Sequence, residues 1–360
     1  MKRRPFTRRA MRMSGWLLSL SLFGMAQPAD TLTSLQKREA VGRIAGIYES
    51  RYVDPELGKR MADLIRSKLS AGAYDAPADG RAFARQITQD LRSVISDLHL
   101  TVAFLPEEVK KRRSAPAGLR AEEERKEARR RNHGFPEVKV LDGNVGYLRV
   151  SSFEGSPEAY ATAGHALQFL RHCDALIMDL RFNPGGDSGM VQFLASRFLS
   201  GPPVLLDEFH YRQADRISQL WSLPVDSGES LAGMALYILI DRYTFSAAEG
   251  LAYDLQALKR AVILGSVSAG GAHIAEEETL AEGFLLFIPV AYSKNPITHG
   301  NFQGKGILPD VPLNPEKALT EAHLLVLEKR MQKETDPGHK KELADLIRRL
   351  KGEPEIKEEL

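Results

Sequence analysis

The chain has 360 residues, 43% hydrophobic and 27% charged, enough for one large or two modest domains with a real core. Its formal net charge of +2 gives no reason to expect nucleic acid or an anionic membrane as a partner. A single cysteine, Cys173, excludes an internal disulfide and reads as a small buried residue before a strand.

Residues 1–26 read as an export signal. Lys2, Arg3, Arg4, Arg8, Arg9 and Arg12 form a basic leader, and an apolar run from Trp16 to Phe23 follows. Gly24-Met25-Ala26 then supplies the small residues that a signal peptidase reads. The apolar run is too short to span a bilayer comfortably. Cleavage after Ala26 is therefore expected, giving an exported protein, periplasmic or extracellular, with no stable membrane span. Residues 31–104 follow as a helical domain. Leu35, Ala40, Val41, Ile44 and Ile47 recur at helical spacing, as do Met61, Leu64, Ile65 and Leu69, then Phe83, Ile87, Leu91 and Val94. Residues 71–77 interrupt the pattern as a loop, and alternation over 96–104 suggests a strand or an extended exit. Residues 105–135 are a charged linker, a solvated helix or mobile segment whose interleaved glutamates argue against a basic interaction tail.

From 136 to 313 strands and helices alternate. Val138–Leu141 and Val145–Val150 flank an Asp142-Gly143-Asn144 turn with hairpin chemistry. A helix over 157–171, a strand over 175–180, a helix over 188–199 and a strand over 202–208 come next. A strand at 235–240, a helix at 246–258 and strands at 261–264 and 283–290 complete the unit. This repetition predicts an α/β fold, a central sheet with flanking helices. Residues 314–360 read as a polar helical tail, broken at Asp336-Pro337-Gly338, with a charged end that frays.

Three loops leave strands of this unit, where open α/β sheets place their sites. The first, Asp179 to Gly186, ends in a glycine pair whose backbone freedom lets N–H groups face a pocket, although Pro-Gly-Gly alone is only a turn. The second carries Ser246 at a strand-to-helix junction. Unpaired N–H groups and the positive end of the helix dipole gather there, which suits a nucleophile whose attack creates an oxyanion. A plain helix cap is the simpler role for a serine so placed. The third loop, Gly265 to His273, forms a further wall. No cluster with metal-ligand spacing and no phosphate-cradling glycine loop occurs, so neither metal nor cofactor is expected.

Taken in order, Asp179–Gly186, Thr244-Phe245-Ser246-Ala247-Ala248-Glu249, Gly265–His273 and Gly304-Lys305-Gly306-Ile307-Leu308-Pro309-Asp310 resemble the tail-specific (C-terminal-processing) serine peptidase superfamily. The branch shared by the tricorn core and interphotoreceptor retinoid-binding modules is the closer match, helped by Asp97-Leu98-His99-Leu100 in the leading helices. The resemblance implies a crotonase-like ββα spiral core and peptide or protein substrates. It also implies a nucleophile at Ser246 and oxyanion donors from Gly185 or Gly186 and Ala247. One branch activates its serine with a lysine from a Gly-Lys pair, but here that loop reads Gly270-Gly271. The other uses a histidine, and His99 matches it; a neutral imidazole suits a serine hydroxyl as general base. His273 is the runner-up base, whereas His133, His165, His172, His210, His299, His323 and His339 read as surface residues. Where that branch usually carries a glutamate to orient the histidine, this chain has Gln303, which can fix a tautomer but cannot offset the imidazolium charge. Glu249, one turn after Ser246, reads first as a helix-stabilising acid. The competing expectation is a weak or silent homologue that binds apolar ligands, such as a fatty acid or retinoid, or peptides.

Overall fold

The computed structural model describes residues 31–76, 79–114, 116–314 and 316–353; the expected leader, residues 1–26, and the last seven residues lie outside them. Three helices come first, α1 (Ser34–Arg51), α2 (Pro55–Ser70) and α3 (Gly80–Val94), each begun by a side-chain cap from Thr33, Asp54 or Asp79. Their apolar stripes meet in a core of Ile44, Tyr48, Met61, Ile65, Phe83 and Ile87, to which the strand β1 (Thr101–Phe104) adds Val102 and Phe104. Residues 96–100, which alternation suggested as extended, turn instead. Leu100 N–H donates to the Asp97 carbonyl, and His99 N–H donates to Asp97 Oδ1 at 2.9 Å. An aspartate can bond its own backbone two residues on, and here that local bond overrides the alternation. The charged stretch forms two helices, α4 (Pro106–Ser114) and α5 (Ala117–Arg130); Val109 tucks against Leu285 and Phe287, and Arg112 pairs with Glu277.

The hairpin follows as β2 (Glu137–Leu141) and β3 (Val145–Arg149). After it come α6 (Pro157–Phe169), β4 (Ala175–Asp179), α7 (Ser188–Arg197), β5 (Leu205–Tyr211) and β6 (Arg216–Trp221). Next are β7 (Ala235–Ile240), α8 (Ala247–Ala257), β8 (Ala261–Gly265), β9 (His273–Thr279), β10 (Phe284–Lys294) and β11 (Val311–Pro312). The helices α9 (Ala318–Lys333) and α10 (Pro337–Lys351) close the described chain. Six strands form a sheet in the order β2-β3-β4-β7-β8-β11, parallel from β3 onward. Its central strands are buried on both faces, so they read as continuous apolar runs. Leu176, Met178, Leu236, Ile238 and Ile263 face the core beneath α6, α7 and α8. Their neighbours Ala175, Ile177, Tyr237, Leu239 and Leu264 point the other way, onto Ala322, Val326, Leu343 and Ile347 of α9 and α10. The expected α/β architecture is thus present, and the polar-looking tail supplies one of its covering layers. His323 is buried with it, its Nε2 donating to the Asp142 carbonyl at 2.8 Å, and His133 is buried as well, so neither is the surface residue expected.

A second, antiparallel sheet runs β1-β10-β5-β6, with β9 also on β10. Phe284, Leu286, Ile288 and Val290 of β10 complete the core of α1, α2 and α3, so the helical lobe is closed by a strand from far along the chain. Between the sheets lies a buried acidic pair. Asp254 on α8 accepts from Asn295 Nδ2 at 2.9 Å, and burial together with the nearby Asp207 charge pushes its carboxyl up. Burial pushes Asp207 on β5 up to about 7. A carboxyl whose folded value is raised contributes stability that is complete below its unfolded value near 4 and fades as pH climbs through the raised one. Asp254→Asn should therefore melt higher than wild type at pH 8, by about 2–4 °C for each ~1 kcal/mol relieved, and no higher at pH 4. Differential scanning calorimetry at the two pH values checks this.

Candidate active site

Ser246 caps α8, but not with the extended backbone of an ordinary cap. Its φ is 54° and ψ −124°, a region that costs a non-glycine residue roughly 1–3 kcal/mol. This strained turn sets the buried hydroxyl against the His99-bearing lobe. Glu249 holds the turn down. Its Oε2 accepts from the N–H groups of Ser246 and Gly271, each at 2.8 Å, and its Oε1 from Ser268 Oγ and Gly270 N–H, each at 2.6 Å. Glu249 thus does more than favour the first helical turn, since it staples the serine to the loop after β8. Burial raises its carboxyl against those four hydrogen bonds, which favour the charge.

The imidazole reaches the serine from the other lobe. His99 Nε2 lies 3.2 Å from Ser246 Oγ, with the His99 ring 1% exposed. The His99 turn is braced from α3, where Arg92 Nε donates to the Leu100 carbonyl at 2.8 Å and Arg92 Nη2 to the Leu98 carbonyl at 2.7 Å. Phe245 flanks the ring, with centroids 4.4 Å apart. Phe245 also occupies the place where a lysine of a Ser-Lys pair would start: a Cβ at Gly271 would sit 2.0 Å from its ring.

Behind His99 lies a carboxylate, but not where sequence reasoning put the orienting group. Gln303 Oε1 accepts from the backbone N–H of Ala272 at 2.8 Å and of His273 at 3.2 Å, so it is spent on the neighbouring loop and not on His99. Asp97 stands in the orienting position instead, its Oδ1 3.3 Å from His99 Nδ1 and its Oδ2 2.7 Å from His273 Nδ1. Burial opposes a charge on Asp97, yet the bonds from His273 and His99 outweigh it and hold the carboxyl well below the usual range. With the Nδ1 proton facing Asp97, the Nε2 lone pair of His99 faces the serine hydroxyl. His273, the alternative base, is turned to Asp97 through its Nδ1 at 2.7 Å.

The glycine pair abuts the serine. A Cβ at Gly185 would sit 2.8 Å from Ala247 N, and Phe245 N–H donates to the Asn183 carbonyl at 2.9 Å, which ties the two loops together. Gly185 N–H is committed to Asn183 Oδ1 at 2.8 Å, whereas among the described residues neither Gly186 N–H nor Ala247 N–H has an acceptor. Gly186, at φ 135°, bridges Phe153 through its flanking residues, which leaves its own N–H on the side away from that strand. Of the donors the resemblance implied, Gly185 or Gly186 with Ala247, the Gly186 and Ala247 N–H groups are the two without an acceptor among the described residues. Asp179 and Arg181 of the same motif are structural partners, the guanidinium Nε donating to Asp179 Oδ1 at 2.9 Å and Tyr147 Oη to Oδ2 at 2.9 Å. Sequence reading missed Asn183 and the part played by Asp97; the available signal was an Asx-type residue two places before a constrained one. Among the described residues no group of three or more histidines, cysteines or carboxylates is placed to hold a metal ion.

A serine on a strained turn, an imidazole against its hydroxyl and a buried carboxylate behind the ring make up the kind of site that serine acyl-transfer enzymes use. Residues 144–313 match the profile described as Peptidase family S41, in line with the superfamily that the motifs resemble. A carboxyl-terminal-processing protease from Synechocystis sp. is 30% identical over 169 residues, 46% of this chain and 37% of that protein. The chain spans well under half the length of the curated processing proteases it matches, 37% and 33% for two of them. Among solved structures, a lipoprotein from Streptococcus agalactiae is similar with a TM-score of 0.55 at 16% identity, covering 86% of this chain and 100% of that one. The tricorn protease is similar with a TM-score of 0.51 at 12% identity, covering 88% of this chain and 37% of that one. Likenesses at such identity concern the fold. No helix among the described residues is long and apolar enough to cross a membrane.

Proposed function

We propose that this chain is a serine peptidase that hydrolyses peptide bonds near the C-termini of peptide or protein substrates, with Ser246 as nucleophile and His99 as base. The observation that carries this reading is the 3.2 Å approach of His99 Nε2 to Ser246 Oγ across the two lobes. The family match over residues 144–313 and the processing proteases among the similar proteins support it. Ser246 Oγ bonds to the scissile carbonyl carbon while its proton passes to His99 Nε2. The carbonyl π pair moves to oxygen, facing the N–H groups of Gly186 and Ala247. Asp97 takes the orienting place that the sequence had suggested for Gln303 and, unlike a glutamine, also stabilises the imidazolium. His99 then gives its proton to the leaving nitrogen as the C–N bond breaks, and acyl-Ser246 remains. Water repeats the sequence, freeing the acid and restoring the hydroxyl.

A serine-directed fluorophosphonate tests this reading, since it should label the chain at Ser246 and block peptide hydrolysis. No labelling, together with saturable uptake of a fluorescent fatty acid, would favour a carrier instead. The basic, apolar and small-residue leader further supports export to the periplasm or beyond. The exported protein should begin at Gln27, which N-terminal sequencing of material from producing cells checks.

A further inference from the structure

We propose that His273 is a positioning residue of this site: its Nδ1–H fixes the carboxylate that sets the His99 ring, and protonation of His273 weakens that support. The inference rests on the Ser246–His99 reading given above.

Asp97 is fully buried, accepts three hydrogen bonds and faces a fourth polar atom, His99 Nδ1. Its Oδ1 takes the His99 backbone N–H at 2.9 Å and faces His99 Nδ1 at 3.3 Å. Its Oδ2 takes His273 Nδ1 at 2.7 Å and Tyr52 Oη at 3.4 Å. The contact to the proposed base is a long one that forms no hydrogen bond at His99 Nδ1, and the same oxygen is held by a backbone amide. Its length therefore depends on how the carboxylate is rotated about its Cβ–Cγ bond. The short bond to His273 on the other oxygen sets that rotation. An ionised carboxylate only accepts, so His273 Nδ1 must carry a proton and point it at Asp97.

His273 is itself held in place. It opens β9, its backbone N–H donates to Gln303 Oε1 at 3.2 Å, and Tyr52 meets its ring edge-on at a centroid distance of 6.3 Å. Gln303 thus acts on His99 at two removes, through the His273 backbone and then Asp97. This gives the residue that stands in the family's glutamate position a physical role without any contact to the proposed base.

A neutral His273 lends Asp97 a hydrogen bond and leaves its charge intact for the imidazolium of the transition state. A protonated His273 places a second positive charge on the same carboxylate, so Asp97 can stabilise the imidazolium less. Other ionisable groups around the cluster are Tyr48, Tyr52 and Asp54 from α1 and its exit, and Arg92 from α3. Glu276 on β9 is paired with Arg51, Glu249 lies beneath Ser246, and His210 stacks on Tyr292, the register partner of His273. Each of the tyrosines is held protonated, foremost by burial.

The test measures the second-order rate of Ser246 labelling by a fluorophosphonate from pH 5 to 9, in the full chain and in His273→Ala and His273→Asn. Asparagine places an amide N–H near the position of Nδ1–H but does not titrate. His273→Ala should lose about tenfold to a hundredfold at pH 8, the worth of one hydrogen bond to a charged group. His273→Asn should recover most of that loss. Its acid limb should follow a single proton, where the wild-type limb is steeper. A wild-type limb of one proton that neither variant alters overturns the proposal, as does an equal loss in both variants with unchanged melting. A wild-type chain that is never labelled overturns the peptidase reading along with it.

Discussion

Ser246→Ala is expected to abolish fluorophosphonate labelling and to cut peptide turnover by roughly 10⁴- to 10⁶-fold, with the fold and melting temperature essentially kept. The side chain is small and the turn does not depend on its hydroxyl alone: Glu249 still accepts the backbone N–H of residue 246 at 2.8 Å. His99→Ala should lose a similar amount, because the proposed nucleophile and base lie 3.2 Å apart and would share one proton transfer. The double variant should therefore be little worse than either single one. Active-site titration followed by turnover on a C-terminally labelled peptide measures all three. Additive losses would mean that the two residues do not share one proton transfer.

Asp97→Asn carries the second-largest expected effect, about 10³- to 10⁴-fold in turnover with little change in KM. An asparagine is nearly the same shape but offers no charge to the imidazolium, and its amide would present a donor to one of two ring nitrogens that now donate to a carboxylate. The same substitution alters stability in a defined pH window. The folded carboxyl lies below its unfolded value, so its contribution is present above about pH 4 and is lost as pH falls through the depressed folded value. The variant's melting temperature should accordingly change less than wild type's between pH 7 and pH 3. A full-rate Asp97→Asn enzyme would remove the carboxylate from the mechanism.

Much of the α/β core was legible because its strands are buried on both faces and its helices start at capping residues. The strand at 235–240 and the helix after Ser246 fall where periodicity placed them. The second sheet was not legible as such. Residues 205–211 and 284–294 look like strands of any α/β unit, and nothing local says that they pair antiparallel with each other and with β1. The tail misled for a related reason: Ala318, Ala322, Val326, Leu343 and Ile347 make a narrow stripe within a polar composition, and only the sheet opposite gives it a partner. At the site, Ser246, His99, Gly186 and Ala247 emerged from motifs. The orienting role fell on Gln303 because sequence spacing cannot distinguish a side chain that faces a ring from one that faces a backbone amide. Asp97 sat two residues from His99 all along, but its role depends on a turn that the alternating pattern had concealed.

The strand β10, which seals the His99-bearing lobe from the far side of the chain, also imposes a timetable on the ribosome's product. At roughly 5–20 residues per second, that strand emerges on the order of 10–40 s after β1. Until then the front lobe lacks one wall, and His99 has no fixed framework from which to reach the serine. The proposed Ser246–His99 site therefore stays unassembled through most of the chain's synthesis.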